Sequence, residues 1–153
     1  RSEKRRNCGM SEKLTPKTQQ IMEERFGCDT LLALATVEDG RPYVRTVDSF
    51  YEDGSFYIIT YALSKKMQQI ARHPEVAVCG EWFVGHGNAE NMGHILKEEN
   101  REIADKLRVV FAEWYDNGHT DESDPNTCIL RIRLTDGSLA DHGTWYEIDF
   151  TEQ

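Results

Sequence analysis

The sequence predicts a mainly β (α+β) fold, a small antiparallel β-barrel with helices at its periphery. Short apolar runs of strand length recur along the chain, Asp-Gly pairs stand between neighbouring runs at three places, and helical spacing of apolar residues is confined to three segments. Tight turns join antiparallel strands, whereas parallel strands need long crossovers, so the Asp-Gly pairs favour a barrel over a doubly wound sheet.

Each element has its own signal. Residues 1–10 are polar and basic without periodicity and are read as a tail outside the fold, leaving 11–153 as one domain. Thr15-Pro16 pairs an N-cap residue with proline at the first helical position. Leu14, Thr18, Ile21, Met22 and Arg25 then follow one face of a helix ending near Gly27. Thr30 to Val37 reads as a buried strand, and Asp39-Gly40 as a type I′ turn. Pro42 to Tyr51 returns with Tyr43, Arg45, Val47 and Ser49 on one face and Val44, Thr46, Asp48 and Phe50 on the other. Asp53-Gly54 turns the chain into a third strand, Ser55 to Thr60.

Lys65 to His73 is a short helix with Met67, Ile70 and Ala71 inward, stopped by Pro74. Glu75 to Trp82 and Phe83 to Glu90 are strands in which Gly80, Gly85 and Gly87 mark a bulge or a close backbone approach. Asn100 caps a third helix carrying Ile103, Leu107, Val110, Phe111 and Trp114 at helical spacing, with Glu102 and Lys106 as an i,i+4 pair. Trp114 is assigned to the core. Asp116 to Pro125 is an acidic loop, and Thr127 to Leu134 turns at Asp136-Gly137 towards Phe150.

Composition bounds the function. Eighteen basic against 27 acidic residues give a net charge of −9, which repels polyanions and argues against nucleic-acid binding. No apolar run approaches the roughly 18 residues of a membrane helix, so no membrane partner is expected, and the widely spaced cysteines point to a cytoplasmic protein. Cys8, Cys28, Cys79 and Cys128 form no C-x-x-C pair and read as reduced thiols, with Cys79 and Cys128 as buried small hydrophobes. The five histidines lack the spacing of a helical zinc site, Gly85-x-Gly87 opens no helix, and no nucleophilic triad is announced. Any chemistry would therefore come from a cofactor.

The cations Arg45, Lys65 and Lys66 converge, with Ser64, on the start of the second helix. A helix N-terminus is already partly positive, so lysines in its first turn are misplaced unless an anion joins them. A phosphate would resolve the conflict, and Arg45 offers a forked donor for it. The plainer readings are a solvated helix start for the lysines and a carboxylate partner, Asp48 or Glu75, for Arg45.

Arg41-Pro42-Tyr43-Val44-Arg45, the Asp53-Gly54 turn, Thr60, Ser64-Lys65-Lys66-x-x-Gln69-Ile70 and His73-Pro74-x-Val76 resemble, in order and spacing, the pyridoxamine 5′-phosphate oxidase-like family of FMN-binding split β-barrels. The resemblance runs from Leu31 to Trp82, about a third of the chain. It implies FMN as cofactor, with Arg45, Lys65, Lys66 and Ser64 at its phosphate. It also implies Thr46, Val47, Ile59 and Thr60 along the isoalloxazine and ribityl chain, Gln69 as a further contact, and Trp82 beneath the flavin. A homodimer with FMN at the interface, and oxidoreduction of a small organic substrate, are implied in the same way.

Thr127 to Gln153 lacks the Arg and His motif with which vitamin B6 oxidases grip a substrate phosphate, and Asp141-His142-Gly143-Thr144-Trp145-Tyr146 looks more like the general stress protein branch. Arg131 and Arg133, alternating on one strand face, read as a second anion site or as a solvated face. A non-enzymatic flavin-binding stress protein, and a haem or deazaflavin binder on the same fold, are the alternatives.

Overall fold

The computed structural model describes residues 11–152. A closed six-stranded antiparallel barrel is built from β2 (Thr30–Glu38), β3 (Arg41–Glu52), β4 (Ser55–Tyr61), β5 (Glu75–Gly80), β6 (Phe83–His94) and β7 (Thr127–Asp141). Closure comes from β7, which pairs with β4 along one edge and β6 along the other. Two strands lie outside the ring: β8 (Thr144–Asp149) pairs antiparallel with β7, and β1 (Glu12–Lys13) pairs parallel with β8. Helices α1 (Pro16–Phe26), α2 (Lys65–Arg72) and α3 (Arg101–Val110) and the short α4 (Ala112–Trp114) pack around it.

The first two Asp-Gly turns form as the sequence predicts. Asp39 and Gly40 have φ of 51° and 74°, and Asp53 and Gly54 have 47° and 83°, the left-handed pair of a type I′ turn. The third does not. Asp136 and Gly137 lie inside β7, which runs unbroken to Asp141 and turns at His142-Gly143, with φ of 48° and 79°. Gly137 is required by packing: a Cβ there would stand 2.6 Å from the Phe83 ring. Gly85 and Gly87 serve a close approach as expected, since added Cβ atoms would meet the Asp136 and Arg133 carbonyls at 2.8 Å. A register shift between His86 and Gly87 marks the bulge.

α1 begins with a reciprocal cap in which the Thr18 amide donates to Thr15 Oγ1 (3.2 Å) and the Thr15 amide donates to Thr18 Oγ1 (2.9 Å). Such caps stabilise a helix by about 1 kcal/mol. The helix buries Met22 and Phe26 against one end of the barrel, where Phe26 meets Phe56 edge-on at 5.6 Å and Phe83 at 5.7 Å. Arg25 pins the two neighbouring turns together, donating to the Ala140 carbonyl (2.9 Å), the Glu81 carbonyl (3.2 Å) and Asp141 Oδ1 (3.0 Å). Leu32, Leu34, Ile58, Val78, Leu130 and Ile132 fill the interior. A second core lies on the sheet's opposite face, where Ile103, Leu107 and Phe111 cover Phe50, Ile95 and Ile129.

Several local expectations need correction. β5 stops at Gly80, and Trp82 sits in the β5–β6 turn with φ of 53° rather than at a strand end. Asn100 does not cap α3 with its side chain, which instead donates to the Met92 and His94 carbonyls, both at 3.0 Å. Lys106 pairs with Glu52 at 2.6 Å more closely than with Glu102 at 3.9 Å. The chain leaves its helical path at Asn117 and Gly118, where Gly118 has φ of 97°, within the first residues of the acidic loop. Cys79 is exposed while Cys128 is buried, because Cys79 alternates onto the outer face beside Ala33. Cys8 lies outside the described residues.

Candidate functional site

The middle of β3, the end of β4, the start of α2 and the residue closing α4 enclose a cavity of about 480 Å³. β3 contributes Val47 and Asp48, β4 contributes Ile58, Ile59 and Thr60, α2 contributes Lys66, and α4 contributes Trp114. The strand positions follow from the Asp53-Gly54 turn, which sets β3 and β4 antiparallel, and α2 starts at Lys65, five residues beyond Thr60, with Ser64 as its N-cap.

Lys66 is half-buried and donates from Nζ to Thr60 Oγ1, with Ser64 Oγ at 3.5 Å. Burial pushes its pKa below the ordinary lysine value, and the nearby Arg45 charge adds to the same direction. Arg45 reaches across β2. Its Nη1 donates to Thr36 Oγ1 (2.7 Å) and the Leu34 carbonyl (3.2 Å), and its Nη2 donates to Gln69 Oε1 (3.1 Å). Thr36 in turn donates its hydroxyl to Gln69 Oε1, tying β2, β3 and α2 into one network. Neither Arg45 nor Lys66 forms an ion pair among the described residues, so neither Asp48 nor Glu75 is the partner of Arg45.

Lys65 behaves differently from its neighbour. Its ammonium is exposed and meets Glu38 Oε1 at 3.0 Å, which raises the lysine pKa and lowers that of Glu38. It therefore answers to β2 rather than to the cavity.

The sequence-predicted residues thus divide. Arg45, Thr60, Ser64, Lys66 and Gln69 are joined by hydrogen bonds and mutual charge, and Val47 and Ile59 line the adjoining wall. Thr46 is exposed on the other face of β3. Trp82 borders a separate cavity of about 430 Å³ with Arg25, Ala140 and Trp145. Trp114 packs half-buried against the second core, as assigned, and in addition donates from Nε1 to Asp29 Oδ2 at 2.9 Å and borders the Lys66 cavity. Its helical spacing from Phe111 concealed this role, since packing residues show the same period. Thr36 was hidden inside an apolar run. Arg131 is paired with Glu90.

The family model for pyridoxamine 5′-phosphate oxidase matches residues 18–140 of this chain. General stress protein 26 of Bacillus subtilis (strain 168) is 30% identical over 115 residues, which cover 72% of this chain and 79% of that protein. Among solved structures, General Stress Protein 26 from Bacillus anthracis str. Sterne superposes with a TM-score of 0.61 at 20% identity, covering 84% of this chain and 97% of that one. A FAD-binding protein from Mesorhizobium loti superposes with a TM-score of 0.60 at 18% identity, covering 84% and 95%.

Proposed function

This chain belongs to the pyridoxamine 5′-phosphate oxidase family, and from that footing we propose that it binds FMN and acts as a flavin-dependent oxidoreductase on a small organic molecule. The observation that carries the reading is the pair Arg45 and Lys66, two cations partly withdrawn from water, with the lysine pKa lowered by burial and then by the Arg45 charge, and without an ion-pair partner among the described residues. Like charges partly withdrawn from water are costly until an anion joins them. The donor set suits a terminal phosphate: the Lys66 ammonium and the hydroxyls of Ser64 and Thr60, beside the Arg45 charge, whose Nη1 is committed to Thr36 and the Leu34 carbonyl. It gives no preference to the iron of a haem.

In this reading Lys66 and Arg45 hold the phosphate, Ser64 and Thr60 orient Lys66, and the β3 and β4 segments at Val47 and Ile59 face the ribityl chain and ring. When bound, FMN supplies hydride and single-electron chemistry. The protein fixes its position and shields one side from water.

A homodimer belongs to the same proposal. On the outer face of β2, β3, β5 and β6, Ala33, Ala35, Val44, Ala77, Cys79 and Val84 are directly paired neighbours, and Val44 is 72% exposed. A face of mainly small apolar side chains, its rows completed by Thr46 and His86, suits isologous pairing with a second copy. Pyridoxine and pyridoxamine 5′-phosphates are not the proposed substrates, because Arg131 is engaged by Glu90. Steady turnover of a reduced nicotinamide donor by the FMN-loaded protein would support the oxidoreductase. Stoichiometric FMN without turnover under any donor and acceptor pair would leave a flavin-sequestering protein, as in the general stress protein alternative.

A further inference from the structure

The Lys66 cavity has one wall that comes from neither the barrel nor α2, and that wall is Trp114. Its indole is held from three sides. Nε1 donates to Asp29 at 2.9 Å, the Phe111 ring lies 4.8 Å away at 30°, and the Tyr115 ring lies 6.4 Å away at 27°. Tyr115 is itself fixed, its hydroxyl donating to Glu122, which also accepts from Arg108 Nε at 2.7 Å. Asp29 stands in the connection between α1 and β2, so a side chain 85 residues away in sequence sets the indole's orientation. One part of the indole packs against the second core, and the half-buried remainder borders a cavity that Lys66 and Asp48 also line. Val47, Ile58 and Ile59 supply only aliphatic surface.

We infer that Trp114 is the aromatic contact for the flavin ring and that Asp29 is its positioning residue. This rests on the flavin reading above. It divides the cavity by chemistry: Lys66 recognises the phosphate, and Trp114 recognises the planar ring that FMN shares with riboflavin. Aromatic contacts of this kind change affinity roughly 2- to 10-fold.

The test titrates the ligand-free full chain with FMN and with riboflavin, following flavin fluorescence. Trp114→Ala is expected to weaken both ligands by the same factor, about 5-fold. Lys66→Met is expected to weaken FMN alone. Asp29→Ala should weaken both flavins by a smaller common factor, and Asp29→Asn, which keeps an acceptor for the indole N–H, should restore the parent affinities. As a readout independent of affinity, Trp82→Phe with Trp145→Phe leaves Trp114 as the sole indole of a chain with three tryptophans. Its emission should be quenched on binding either flavin. Trp114→Ala that leaves both affinities unchanged or weakens FMN alone, or an unquenched Trp114, would overturn the inference. If Trp114→Ala does not fold, the quenching experiment decides. A parent protein that binds neither flavin would instead overturn the flavin reading itself.

Discussion

Replacing Lys66 by Met separates what the protein does for a phosphate from what it does for a ring. The substitution keeps the side chain's length and apolar stem while removing a half-buried ammonium that donates to Thr60 and lies 3.5 Å from Ser64 Oγ. A charge-assisted hydrogen bond to an anion is worth roughly 1.5–3 kcal/mol, or roughly 10- to 150-fold in affinity. FMN should weaken by that factor and riboflavin by less than about 2-fold, since only the phosphate meets Lys66. The ligand-free protein should barely notice. It loses a hydrogen bond worth about 1 kcal/mol but is relieved of the repulsion from Arg45 that helps to depress the lysine pKa. Fluorescence titration of both flavins, with urea unfolding of the ligand-free variant, measures all three quantities. Equal weakening of FMN and riboflavin, or a ligand-free variant several kcal/mol less stable, would refute the phosphate assignment.

Three other outcomes follow from named contacts. The folded-state pKa of Lys66 lies below its ordinary value of 10.5, so between the two the unfolded chain binds more protons and this group's contribution to ligand-free stability rises with pH. Phosphate favours the protonated lysine, so FMN affinity should fall as pH rises through the lowered pKa while riboflavin affinity stays flat, as parallel titrations would record. Gly137→Ala should destabilise the protein by roughly 2 kcal/mol by overpacking Phe83, 2.6 Å from the new methyl, and Phe150, at 3.2 Å. Gly143→Ala, which meets nothing within 4 Å but has φ of +79°, should lose about 1 kcal/mol through backbone strain, and urea unfolding compares the two. Light scattering should give a dimer for the parent chain and a monomer for Val44→Glu with unchanged circular dichroism, whereas a monomeric parent would contradict the pairing face.

Local chemistry explains which parts of the fold were legible. Asp39-Gly40 and Asp53-Gly54 could be read as hairpins because their turn type demands positive φ at both residues. Asp136-Gly137 carries the same letters for another reason. There glycine makes room for an aromatic ring contributed from more than 50 positions earlier, and only the folded barrel reveals that demand. β1 is two residues long and pairs with the last strand, too short for any periodicity to register. In the candidate site, Lys66 beside the N-cap Ser64 stood out because a cation at a helix start violates a local rule, whereas Arg45, on β3, stood out through the family resemblance. Lys65 was indistinguishable from Lys66 in sequence, and a contact with Glu38, formed only when β2 lies beside α2, turns it away. The helical period that packs Trp114 beside Phe111 is the same whether the indole is wholly covered or also borders a cavity, so the cavity contact has no sequence signal.

The most direct test is the identity and amount of the flavin held by freshly purified, untagged protein. The visible spectrum should show flavin bands. Heat-released ligand identified by mass should be FMN, in a ratio of one per chain after reconstitution. A haem spectrum, or a ligand-free protein that fails to bind added FMN at micromolar concentration while remaining folded, would contradict the assignment of Arg45 and Lys66 to a flavin phosphate.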